Sequence, residues 1–111
     1  MKRTYQNQIS MEFDNKNLRI NFPGQKVWVG GKKVKLSGIE NLLLLVLALH
    51  PGQPIPNDQI LDTIWGRGEG YPDLLRVNIL RLRRKIEFDP SKPRYIKNRH
   101  GCGYYLDVLP S

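Results

Sequence analysis

The sequence predicts an α+β fold with an N-terminal four-stranded antiparallel sheet, three helices and a C-terminal β-hairpin. Three observations predict it. The first 36 residues are short runs of β-formers separated by strong turn signals, the pattern of a meander. The apolar spacing then changes to the three-and-four rhythm of helices. The last stretch, residues 94–109, returns to β-formers around Gly101 and Gly103.

The four strands are expected at Ile9–Phe13, Leu18–Phe22, 25–29 and 33–36. The turns between them are Asp14-Asn15-Lys16-Asn17, Pro23-Gly24 and Gly30-Gly31. Pro followed by Gly suits a type II turn, and Gly-Gly suits the positive φ of a tight hairpin. Ser37-Gly38-Ile39-Glu40 then has the spacing of a capping box, which opens a first helix over about 38–50. This helix is apolar almost all round, so burial from two sides is expected. His50-Pro51-Gly52 ends it.

A second helix is expected over about 57–66, with Asn57 as its N-cap and Ile60, Leu61, Ile64 and Trp65 as its apolar stripe. Gly66 stops it, and the glycine-rich loop 67–71 follows. Pro72 suits the first turn of a third helix, about 72–87. There Leu75, Ile79, Leu82 and Ile86 recur on one face while Arg76, Arg81, Arg83, Arg84 and Lys85 fall outside it. Two helices joined by a turn and followed by a charged hairpin make a winged helix-turn-helix. One domain over 1–111 is expected.

Charge narrows the class of partner. The chain has 111 residues and a net charge of +8. Residues 1–37 hold eight Lys/Arg against two acids, residues 38–75 one against five, and residues 76–111 nine against three. Basic ends around an acidic middle favour an anionic partner, nucleic acid before a membrane surface. The longest apolar run, residues 42–49, is far short of a membrane span.

The single cysteine, Cys102, excludes an internal disulfide and a cysteine-rich metal site. With no signal-peptide pattern in MKRTYQNQIS, a reducing, cytoplasmic location is expected. His100 and Cys102 are too few for zinc, and no metal, cofactor or catalytic constellation is expected.

Four segments in order carry a family resemblance: LSGIENLLLLVLALHPG (36–52), ILDTIWG (60–66), VNILRLRRKIEFDP (77–90) and YIKNRHGCGYYL (95–106). Together they resemble the DNA-binding effector domain of OmpR/PhoB-type response regulators. The resemblance implies that the third helix enters the major groove of double-stranded DNA and the hairpin wing touches the adjacent minor groove. It implies that Arg67, Gly68, Glu69, Gly70 and Tyr71 form a loop that contacts RNA polymerase. It also implies a receiver domain in a longer chain. Ser37, Arg76, Leu80 and His100 depart from the family's habits: Thr is usual at the first, Asp or Asn at the second, a polar residue at the third and Arg at the fourth.

On the third helix, Val77, Arg81 and Arg84 point most directly away from the apolar stripe. Arg81 aligns with a base-reading position, and its planar fork can bond O6 and N7 of guanine. Val77 can pack on a thymine methyl. Arg76, Asn78, Arg83 and Arg84 are expected as phosphate contacts. Trp65 can pack under the helix or donate its indole N–H to a phosphate. Lys97, Asn98, Arg99 and His100 are expected as wing contacts, and Tyr104 and Tyr105 as braces of the wing. The alternative reading is a winged-helix module whose basic surface meets an acidic protein partner.

Overall fold

Strands β1 (Ile9–Phe13), β2 (Leu18–Phe22), β3 (Lys26–Val29) and β4 (Lys32–Val34) pair antiparallel in chain order. They belong to a computed structural model that describes residues 9–22 and 25–110. The expected Pro23-Gly24 turn lies outside the described residues. Gly30 and Gly31 take φ of 57° and 82°, as the tight turn between β3 and β4 requires. The turn after β1 carries Asp14, Asn15 and Lys16 at positive φ, which Asp and Asn tolerate best among side chains.

Alternation sorts the sheet into two faces. Phe13, Leu18, Ile20 and Val27 are buried on one. On the other, Arg19 Nε meets Glu12 at 3.2 Å, and the guanidinium lies 5.2 Å from the Trp28 ring centre. Each of these partners stands directly opposite Arg19 in the neighbouring strand.

Helix α1 (Gly38–Ala48) opens with the expected capping box. Ser37 Oγ accepts the Glu40 N–H at 3.2 Å, and Glu40 Oε1 accepts the Ser37 N–H at 2.8 Å. Leu43, Leu44, Leu47 and Ala48 are buried, but burial from two sides is not what the structure shows. Leu42 is 45% exposed and Leu49 58% exposed. They stand seven residues apart, hence on one stripe, and the core reaches only the other side of the helix. Past α1, Pro51 and Gly52 form a type II turn: Gly52 has φ 79°, and the Gln53 N–H donates to His50 O at 3.1 Å.

Helix α2 (Asn57–Trp65) lies within the expected range, but its cap differs. Pro56, not Asn57, is its N-cap. The Pro56 carbonyl already accepts the Ile60 N–H at 3.1 Å, which leaves Asn57 inside the first turn. Helix α3 (Pro72–Ile86) has proline in its first turn and buries Leu75, Ile79, Leu82 and Ile86 to 1% exposure or less. It packs on α1 and α2.

The wing is β5 (Ile96–Arg99) paired with β6 (Gly103–Leu106). The segment after α1 lies along β6 as a partial third strand. Gly52 N donates to Leu106 O, and Ile55 and Tyr104 exchange both backbone bonds at 2.8 and 3.2 Å. A Cβ on Gly103 would sit 1.9 Å from Ile55 O, so only glycine permits this approach. This is the winged helix-turn-helix expected from the element order. No described helix is long and apolar enough to cross a membrane.

Candidate nucleic-acid interface

The candidate surface is built on α3 because that helix has one fully committed face and one free face. The four buried apolar residues fix its rotation about its own axis. Arg76, Val77, Leu80, Arg81 and Arg84 then project outward and are exposed. Arg81 and Arg84 make no hydrogen bond or ion pair among the described residues. Arg76 is exposed beside Asp73, with Nη2 3.0 Å from its carboxylate. Such a pair is solvent-screened and contributes about 0–1 kcal/mol, so it leaves the guanidinium easily recruited.

Two expected anchors stand elsewhere. Asn78 is only 7% exposed, and its Nδ2 donates to Leu74 O at 2.8 Å within the helix. Its expected presentation to a phosphate is therefore corrected. It follows Val77 around the helix by about 100°, which turns it toward the core. Arg83 is half-buried; its Nε donates to Ile96 O at 3.0 Å, and its guanidinium lies 5.8 Å from the Tyr104 ring centre. That arginine faces the wing and straps it to α3.

The wing tip offers Asn98, Arg99 and His100, all exposed. Arg99 closes β5 with its guanidinium 5.3 Å from the Tyr105 ring centre, while His100 stands in the turn itself. The Cys102 N–H closes that turn on Arg99 O at 2.8 Å. Lys97 pairs with Asp107 at 2.6 Å, and this carboxylate raises the Lys97 pKa above its ordinary value. Tyr104 is buried and Tyr105 half-buried, as braces should be. Trp65 is half-buried against the core.

The loop between α2 and α3 is short and held against α2. Gly68 N donates to Asp62 Oδ1 at 3.2 Å, and Glu69 N to Gly66 O at 3.0 Å. Gly70 lies against Leu61, where a Cβ would come within 2.9 Å of Cδ2. Arg67, Gly68, Glu69 and Tyr71 are exposed.

Three carboxylates position this surface through contacts that carried no signal in the sequence. Glu87, 7% exposed, accepts the N–H groups of Arg94, Tyr95 and Ile96 at 2.7–3.1 Å. It thereby joins the end of α3 to the start of the wing. Glu40, the capping residue of α1, also receives Lys85 Nζ at 2.5 Å. Burial raises the Glu40 pKa, but the Lys85 ammonium and the Ser37 N–H outweigh it and hold the carboxyl below 4.5. Asp14 accepts from the Tyr95 hydroxyl at 2.9 Å and from Arg94 at 2.7 Å, tying the N-terminal sheet to the wing. Burial, reinforced by that carboxylate, pushes the Tyr95 pKa up to about 12. Partners up to 81 residues away explain why no local pattern revealed these contacts.

The same fold recurs in known proteins. Residues 31–106 match the family described as Transcriptional regulatory protein, C terminal. The DNA-binding response regulator MtrA of Mycolicibacterium paratuberculosis is 35% identical over 89 residues. That match covers 79% of this chain and 40% of MtrA, so the chain spans well under half of this relative's length.

Among solved structures, the response regulator DrrB, a Thermotoga maritima OmpR/PhoB homolog, superposes with a TM-score of 0.77 at 35% identity. It covers 85% of this chain and 43% of DrrB. The DNA-binding domain of Klebsiella pneumoniae RstA, solved in complex with the RstA box, also superposes at 0.77, with 30% identity over 92% of this chain and 98% of that one. With the fold and family profile in agreement, this chain belongs to the transcriptional regulatory protein C-terminal family, the winged-helix effector domains of OmpR/PhoB-type response regulators.

Proposed function

We propose that this chain binds double-stranded DNA in a sequence-specific way as the output domain of a two-component response regulator. In this reading α3 enters the major groove and the wing lies at the adjacent minor groove. The observation that carries it is the outward set on α3: Arg81 and Arg84 without partners among the described residues, on a helix whose opposite side is wholly buried. A rigid helix offering uncommitted guanidiniums suits both base edges and phosphates. Arg81 is the base reader; Arg76, Arg84 and the wing residues Asn98, Arg99 and His100 contact the backbone. Trp65 and Lys97 are secondary contacts at the margins.

The loop of Arg67, Gly68, Glu69, Gly70 and Tyr71 is the surface offered to RNA polymerase. Its support is the exposure of its side chains on a short, internally bonded backbone. A receiver domain in a longer chain fits the 40% share of MtrA that is matched.

Selection of bound duplexes from a random pool, repeated with Arg81→Ala, tests the reading. An enriched motif that relaxes at one position in the variant is expected. Equal binding to all duplexes would overturn it. Neutralising roughly five phosphates should also give a slope of log K on log salt near −4 to −5.

A further inference from the structure

Two apolar side chains on the outward face of α3 are not explained by packing. Val77 is 37% exposed and Leu80 42% exposed. They stand three residues apart and so share a face. Arginines surround them: Arg76 lies four residues before Leu80, Arg84 four after it, and Arg81 four after Val77, all exposed. Leaving a leucine in water within a ring of guanidiniums brings the folded chain no internal gain. A ligand that covers this patch must be anionic at its rim and apolar at its centre. The major groove of DNA has that layout, with phosphates along both edges and the C5 methyl of thymine as the apolar group on its floor.

The spacing adds a register. Three residues rise about 4.5 Å along a helix axis, and base pairs stack about 3.4 Å apart. Two such side chains fall over neighbouring base pairs when the helix follows the groove. We infer that Val77 and Leu80 form an apolar reading pair for thymine methyl groups on adjacent base pairs, which makes Leu80 a specificity-determining residue. This rests on the DNA-binding reading above and deepens it. Leu80 replaces a polar contact with a methyl contact, so the site it selects should be richer in A·T pairs beside the guanine read by Arg81.

The test uses the full chain and the duplex that it selects from a random pool. Each thymine is replaced singly by deoxyuridine, which removes the methyl and leaves base pairing intact. Wild type should lose about three- to fivefold in affinity at each of two neighbouring positions, the effect of roughly one buried methyl group. In Leu80→Ala the penalty should vanish at one of these positions and persist at the other. Leu80 is exposed, so the variant should melt like wild type, which a thermal scan verifies. A selected motif without adjacent A·T pairs, or uracil that is silent throughout a specifically bound site, would overturn the inference and leave the DNA reading standing. An unchanged uracil penalty in Leu80→Ala would remove Leu80 from the readout. A pool that yields no motif at all defeats the DNA reading itself.

Discussion

Arg81 and Arg83 are two residues apart on one helix and do opposite work. Arg81 is exposed and has no partner among the described residues, while Arg83 is half-buried, bonded to Ile96 O and set over Tyr104. The same division separates Leu80, 42% exposed, from Leu82, which is fully buried. Two steps around an α-helix are about 200°, so neighbours of identical chemistry are sent to opposite sides. One side of α3 holds the protein together, and the other is left to meet something else. The C-terminal half of the helix is tied most heavily, through Arg83 to β5, Lys85 to Glu40, and Glu87 just beyond it to residues 94–96. The ties through Arg83 and Glu87 fix the wing relative to α3, and the Lys85 tie fixes α3 on α1.

The sharpest way to break the comparison is at the leucines. Leu82→Ala should cost about 2–5 kcal/mol by cavity formation, against no more than about 0.5 kcal/mol for Leu80→Ala at the surface. Urea melts of the two variants measure it, and equal losses would mean that the two faces are not distinct. Next in size is Glu87→Ala. It orphans three backbone N–H groups at the start of the wing, and a loss of roughly 2–4 kcal/mol is expected. Amide hydrogen exchange at Tyr95 and Ile96 should accelerate with it; unchanged protection there would show that the carboxylate is dispensable.

The arginines give a smaller contrast. Arg83→Ala should destabilise by roughly 1–2 kcal/mol through the lost charged hydrogen bond. Arg81→Ala should leave stability within about 0.5 kcal/mol and reduce affinity for the selected duplex roughly tenfold or more. The reverse pattern would exchange their assigned roles.

Smallest is the Glu40–Lys85 pair. Because the folded Glu40 pKa lies below its ordinary 4.5, the pair's stabilisation is present above that pH and is lost as pH falls through the folded value. Lys85 is partly exposed, so the gap between wild type and Lys85→Met should be no more than about 1 kcal/mol near neutrality. It should close on acidification. A gap that stays constant down to strongly acidic pH would assign the stabilisation to packing of the lysine stem instead.

The order of elements, the capping box of α1 and the buried stripe of α3 were all legible in the sequence, since each depends on residues within a few positions of one another. Arg81, Arg84 and Val77 were placed outward by the helical period, and the structure has them there. Asn78, expected at a phosphate, turns inward instead, and its amide bonds a carbonyl one turn back. The N-cap of α2 moved from Asn57 to Pro56 because a proline carbonyl serves the ladder as well as any other. The all-apolar surface of α1 suggested burial from two sides, but how much of a helix is covered depends on its neighbours, and Leu42 and Leu49 stay about half-exposed.

What the sequence determined by itself was periodic or local: strand alternation, helix faces, turn conformations and the identity of the outward residues on α3. What only the tertiary structure decided was which charges are spent on the protein. Glu87 and Asp14 look like ordinary surface acids in the chain and Glu40 like a capping residue alone, yet each binds groups from another element. Their partners come together only when the elements pack. A buried carboxylate is stable only with those partners in place, so no pattern along the chain could have distinguished it from a solvated one.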